Sequence, residues 1–558
     1  MITSKYTPFI AWLLITALVA AAGIGTWLVH TGKLSVSAAE PEYVSKIFDQ
    51  DVISIDITAD EDEWQNMLDN ATAEEFISCD MTIAGKSLSQ VGIRPKGNSS
   101  LTQVASSDSD RFSFKIKFDK YVDQTCYGLD SLAVNNLQAD YTYLKDYIAY
   151  DLMRTADVHA PLTTFANITV NGKPWGLYVA VETYSDSFVS RVYGTQDNNL
   201  YSVKSMDRNG GKGQESINTS KGAMGIPPDV SMMGPPGNER PEGADAASEG
   251  AMSMPRNNNT SGGGMGMHRN NTSGGAMGMH GGGGGSTGGD LVYSDDNWES
   301  YTAIFSNAVF KKTDEEDYSN VIASIKALNE GTDMETYWDV DQLIRYLAAH
   351  TFTVNLDSYI SDMKQNYFLS EKDGVVSVLP WDYNLAFGGF GGTASSTVNF
   401  PIDTPVSGVS MEDRPLVNAL LSNKDYLVKY HEYLQDLVDY VNSNEFENKY
   451  DHIVEAISPY VEKDATAFCT YEEFQTATPM FYKLLTLRAE SIQGQLNGTI
   501  PSTADGQAAD NSGLMDASGI TLSALGGQGG GKGGGQGAPG RGQMTPPNGG
   551  MDFNKENF

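Results

Sequence analysis

Residues 355–388, NLDSYISDMKQNYFLSEKDGVVSVLPWDYNLAFG, place Asp357, Asp362, Asn366 and Asp382 in a short span that is otherwise strand-like or apolar. Tyr367, Phe368 and Leu369 form an apolar run, Glu371-Lys372-Asp373-Gly374 reads as a hairpin turn, and Val375, Val376, Val378 and Leu379 supply the returning strand. Such a hairpin sets Asn366, at the start of one strand, beside Asp382, at the end of the other. Both offer hard oxygen donors suited to Mg²⁺, an ion that usually takes substrate phosphates and water as its other ligands. Asp357 and Asp362 lie just upstream. A surface hairpin whose Asp and Asn side chains cap turns is the plainer reading of the same residues.

A loop carboxylate, an Asn a few residues on and an Asp ahead of a Gly-containing turn follow the order used by kinase-type phosphotransferases. The stretch closes on Pro380-Trp381-Asp382-Tyr383-Asn384-Leu385-Ala386-Phe387-Gly388. Upstream lie Gly92-Ile93-Arg94-Pro95-Lys96-Gly97-Asn98-Ser99-Ser100, then Phe112 to Asp119 (FSFKIKFD), Gly128 to Leu132 (GLDSL), Asn171 to Glu182 (NGKPWGLYVAVE) and Asn199 to Lys204 (NLYSVK). In this order the series resembles the spore-coat protein H (CotH) kinase family over roughly residues 45–204 and 291–495. Two positions depart from the family pattern: Lys96 stands where Arg is usual, and Asn384 replaces a second Asp. The resemblance implies a protein-kinase-like, ATP-dependent phosphorylation.

The bulk numbers limit the alternatives. The chain has 558 residues and a formal charge of −34. That balance argues against nonspecific nucleic-acid binding, which needs Lys and Arg to displace counterions. Cys79, Cys126 and Cys469 are too few and too scattered for a disulfide framework or a zinc site. Residues 9–29 carry no charge, follow Lys5, and are long enough to cross a bilayer as a helix. The expectation is a single-pass cell-membrane anchor with the body outside the cytoplasm, or a secreted protein if cleavage near Ala38-Ala39 removes it.

Five regions follow: an anchor and linker, 1–40; a sheet-rich lobe, 41–204; a Gly/Met/Asn-rich insert, 205–290; a helical lobe with the hairpin, 291–498; and a Gly-rich tail, 499–558. Residues 52–57 alternate as a first strand, and 112–118 alternate cleanly, with Phe112, Phe114, Ile116 and Phe118 on one face and Lys115 and Lys117 on the other. Residues 141–156, 339–355, 427–441 and 481–496 have helical periodicity. The expected class is α+β, an atypical two-lobed protein-kinase-like fold whose insert sits at the crossover between lobes. Insert and tail are expected to be disordered, since their composition cannot bury enough surface to offset backbone ordering. The insert holds a tandem repeat, residues 256–268 and 269–280, with Thr260, Ser261, Thr272 and Ser273.

The resemblance distributes roles over these residues. Asp382 and Asn366 are the metal ligands, for Mg²⁺ or Mn²⁺ bound with ATP. Asp357 orients or deprotonates the acceptor hydroxyl, with Asp362 as competitor because it lies nearer Asn366. Lys115 contacts the α- and β-phosphates, with Lys117 as the alternative, and Asp146 in the helix pairs with that lysine. Ser99 and Ser100 belong to a turn that covers phosphates. Glu182 ends a strand beside the adenine site or else serves as a structural ion-pair partner. The partner implied is a protein with Ser/Thr-rich low-complexity segments, the chain's own insert being one candidate. A non-catalytic surface or coat-assembly scaffold of the same fold is the alternative.

Overall fold

Among the described residues, ten strands and a set of long helices place the residues of interest. The strands are β1 (Val52–Thr58), β2 (Ile77–Ile83), β3 (Lys86–Lys96), β4 (Ser113–Lys117), β5 (Ser131–Asn135), β6 (Thr163–Val170), β7 (Lys173–Glu182), β8 (Asn199–Val203), β9 (Tyr367–Lys372) and β10 (Val375–Pro380). The structure is a computed structural model that describes residues 40–204 and 287–527. The anchor candidate at 9–29, the repeats and the distal tail lie outside the described residues. Among those described, no helix is long and apolar enough to cross a membrane.

The first seven strands close into a barrel in the order β1-β2-β3-β4-β5-β7-β6. Closure comes from the parallel pairing of β1 with β6, Val52 opposite Phe165 through Ile57 opposite Val170. The chain is therefore α+β, and a closed barrel stands where a sheet-rich kinase-like lobe was expected. Alternation explains how the barrel packs on both surfaces. In β7, Tyr178 and Ala180 join the barrel interior with Phe114, Ile116 and Ile168, while Leu177, Val179 and Val181 join the core shared with the helices.

Five helices matter below: α1 (Lys145–Thr155), α2 (Val340–Thr353), α3 (Lys424–Val441), α4 (Asn444–Val461) and α5 (Tyr471–Leu496). The buried central helix α2 packs on α1, α3, α5 and β10. The hairpin forms as its sequence dictates: Asp373 (φ 52°) and Gly374 (φ 84°) make a two-residue turn, and Tyr367 pairs with Pro380. β8 pairs with β9, giving a three-stranded sheet β10-β9-β8. The crossover from the barrel thus lies just after Glu182, where Tyr184 Oη donates to Pro380 O at 2.6 Å. The insert leaves later, after a strand that already belongs to the second sheet. This corrects its expected position.

The expected tail boundary at 499 is corrected too. Folded chain continues to 527, with Ala517, Ile520 and Leu525 buried. Tyr141 N donates to Leu525 O at 3.1 Å, and Lys145 Nζ, fully buried, donates to Gly526 O at 2.8 Å and Ala139 O at 3.0 Å. Burial pushes the Lys145 ammonium pKa down, and the neighbouring Asp140 opposes that. Lys145→Met leaves two buried carbonyls without a donor. The expected cost is about 1–3 kcal/mol, read as a lower denaturant midpoint; an unchanged midpoint would show that this segment is not fastened there.

Candidate active site

The site sits where the outer face of β3 and β5 meets α1, the loop after α2 and the end of β10. Register places the lysines of this face along the sheet. Lys96 is opposite Ser113, and Arg94 is opposite Lys115, so Lys115 lies two residues, roughly 7 Å, further along the sheet. Lys117 lies further still, with its ammonium 3.9 Å from Asp119. Lys96 is thus a lysine of this site that the strand alternation alone does not single out. Its Nζ donates to Asn135 Oδ1 at 2.6 Å and stands 5.7 Å from the Trp381 ring centroid. Burial lowers its pKa, while the charges of Asp382 and Asp146 hold it up.

Asn135, at the end of β5, bridges the lysine to the helix acid: its Nδ2 donates to Asp146 Oδ2 at 3.0 Å. Asp146 is the predicted helix acid, and it is buried. Its other oxygen accepts from Tyr383 N at 2.9 Å. One turn on, Tyr150 Oη accepts from Asp382 N at 3.1 Å. The i and i+4 positions of one helix face thereby hold two consecutive amides of the strand exit. That grip keeps Asp382 at φ 62°, a left-handed conformation uncommon for residues other than glycine. Asn355 Nδ2 donates to Asp382 O at 3.1 Å from the other side. The carboxylate of Asp382 accepts no protein hydrogen bond among the described residues.

Asp357 joins the same cluster. Gln365 Nε2 donates to its Oδ1 at 2.8 Å, and Asn366 Nδ2 donates to its Oδ2 at 3.1 Å and its backbone O at 2.7 Å. Burial, with a contribution from the Asp382 charge, pushes its carboxyl up to about 6, and the Gln365 and Asn366 bonds oppose this. Burial likewise raises Asp146 and Asp382; Asp382 adds to the rise at Asp146, and Lys96 counters both. Asp146 and Asp382 thus converge on the Lys96 ammonium, and Asp357 adjoins Asp382.

Other expectations are placed differently. Asp362 is exposed and lies apart from this cluster. Glu182 is fully buried in an ion pair with Arg191, whose Nε is 3.0 Å from Oε1, and also accepts from Tyr43 Oη at 2.7 Å and Leu162 N at 3.1 Å. Its carboxylate is structural, the second of the two roles considered for it. Ser99 and Ser100 open a short helix (Ser99–Ala105) immediately after Lys96. Gly97 makes that turn at φ 132°, where a Cβ would lie 2.7 Å from Ser100 Oγ. The position of Lys96 directly before this turn was the signal that could have singled it out; Asn135 and Tyr150 carried none.

A model of the family described as CotH kinase protein matches residues 93–226 and 288–492, together more than half of the chain. The chain belongs to the CotH kinase family. No curated protein matches it. The two matched stretches of this CotH family member contain Lys96, Asn135, Asp146, Asp357, Asn366 and Asp382. Among the described residues no group of three or more His, Cys, Asp or Glu side chains forms a self-contained metal cage. The donors present do fit a cation held mainly by phosphate and water: the unbonded Asp382 carboxylate, and Asn366, whose bonds to Asp357 use Nδ2 and leave Oδ1 available.

Proposed function

We propose that this protein transfers the γ-phosphate of ATP to Ser or Thr hydroxyls of a protein substrate, acting outside the cytoplasm while anchored through residues 9–29. The observation that carries the reading is the cluster of the buried Asp146 and the partly buried Asp382 facing Lys96, with Asp357 beside Asp382. Buried carboxylates are costly unless paired, and the deficit of positive charge suits a site completed by a metal–nucleotide complex. Mg²⁺ or Mn²⁺, held by Asp382 and Asn366, would neutralise charge on the phosphates. Lys96 contacts the α- and β-phosphates, kept straight by Asn135 and Asp146. The turn at Gly97, Ser99 and Ser100 covers the phosphates with backbone and hydroxyl donors. Asp357 accepts the proton as the acceptor oxygen bonds to the γ-phosphorus and the bond to ADP breaks. Substrates are low-complexity Ser/Thr-rich segments, including Thr260, Ser261, Thr272 and Ser273 of the same chain.

The test supplies the full chain with Mg²⁺ or Mn²⁺, a Ser/Thr-rich acceptor peptide and ATP labelled separately at the α- and γ-positions, beside Asp382→Ala. Label from the γ-position, absent in the variant, is the expected result. Label from the α-position would mean AMP transfer, and saturable nucleotide binding without transfer would favour the scaffold.

A further inference from the structure

His350 is fully buried near the end of α2, and neither metal nor nucleotide chemistry uses it directly. Its Nδ1 lies 2.7 Å from Tyr383 Oη and its Nε2 lies 2.9 Å from Ser358 Oγ. Ser358 Oγ also donates to Asn355 O at 2.6 Å. A hydroxyl has one proton, so toward the imidazole Ser358 accepts, and Nε2 carries the hydrogen. Burial holds the His350 pKa down at about 3, so the ring is neutral and its bare Nδ1 accepts from Tyr383 O–H. Asn355 then closes the circuit: its Nδ2 donates to Asp382 O, and its Oδ1 accepts from Asp357 N at 3.2 Å. Tyr346 stacks on the imidazole with centroids 5.2 Å apart and restricts its tilt.

We propose that His350 is a positioning residue that fixes the Asp357 loop against the Asp382 strand exit through a ring of four hydrogen bonds, His350–Ser358–Asn355–Asp382 and Tyr383–His350, closed by the Asp382–Tyr383 peptide link. This rests on the phosphotransfer reading for its catalytic consequence. The geometry of the ring stands independently of it. Asp357 and Asp382 come from different elements, and a neutral imidazole with one donor and one acceptor spans them where either imidazolium or the other tautomer would break a bond.

The experiment compares the full chain with His350→Leu, His350→Gln and Tyr383→Phe, measuring kcat and KM for ATP, thermal stability and the ¹⁵N resonances of His350. The unaltered ring should show a protonated Nε2 and a bare Nδ1, and Tyr383→Phe should shift the Nδ1 resonance. His350→Leu should lower kcat about 10–100-fold with KM for ATP little changed. His350→Gln, which keeps one donor and one acceptor, should recover much of the loss at equal stability. A protonated Nδ1, or Leu and Gln variants whose kcat is alike, would overturn the proposal. If the unaltered chain transfers no phosphate, the functional reading falls, and the ring is then judged by its resonances and by ATP–Mg²⁺ binding in Tyr383→Phe: a shifted Nδ1 with weakened binding supports it, and an unmoved pair overturns it.

Discussion

Lys96→Ala is expected to lower phosphate transfer by about 10²–10³-fold, the scale seen when one preorganised charge-stabilising donor is removed. Lys115→Ala should leave the rate near that of the unaltered protein. The contrast follows from register: Lys96 meets Asn135, and through it Asp146, whereas Lys115 lies two residues further along the sheet. Lys96→Arg should retain much of the activity, because the guanidinium keeps a positive charge opposite the carboxyls of Asp146 and Asp382. Removing the ammonium also leaves the raised carboxyls of Asp146 and Asp382 without their compensating charge. An acid whose pKa is higher folded than unfolded destabilises the fold as it ionises. The variant's extra loss should therefore open as pH rises through neutrality and close below the ordinary carboxylate range. Full transfer by Lys96→Ala, or loss confined to Lys115→Ala, would refute the assignment.

Arg111→Ala should destabilise the protein by about 3–5 kcal/mol, as expected when one partner of a buried ion pair is left uncompensated. Arg111 and Asp464 are each about 1% exposed, with Nη1 and Oδ2 2.7 Å apart. The guanidinium also donates to Asn136 O at 3.0 Å, Thr466 Oγ1 at 2.6 Å and Leu177 O, and lies 4.6 Å from the Tyr178 ring centroid. Asp464 accepts from Leu177 N at 2.9 Å. The pair ties the barrel wall to the chain leaving α4. Gly176, at φ 128°, gives it room, since a Cβ there would lie 2.3 Å from Arg111 Nη1. The double variant Arg111→Ala/Asp464→Ala should lose less than the two single losses added together. Additive losses in denaturant titrations would show that the groups do not act as a pair.

Local chemistry was legible in the sequence, and long-range pairing was not. Asp373-Gly374 between alternating apolar residues specifies the hairpin, and the hairpin brings Asn366 near Asp382. Barrel closure depends on β1 meeting β6 across more than a hundred residues, and no local pattern announces it. The clean alternation of β4 directed the lysine assignment to Lys115 and Lys117, while the relevant face continues one strand over to Lys96. Asp362 is near Asn366 in sequence, yet the loop turns it outward and hands Asn366 to Asp357. The stretch from 499 to 527 was obscured by its Gly, Ser and Asp content, because only a few apolar side chains and several carbonyls anchor it.

That last stretch bears on when the protein becomes competent. The amide and ammonium that fasten Leu525 and Gly526 belong to Tyr141 and Lys145, and Lys145 immediately precedes Asp146. The helix presenting that acid gains this support only after synthesis has passed residue 526, some 380 residues beyond it. On this architecture a nascent chain that has not yet reached Gly526 lacks the finished support beneath Asp146 and so the finished cluster around it.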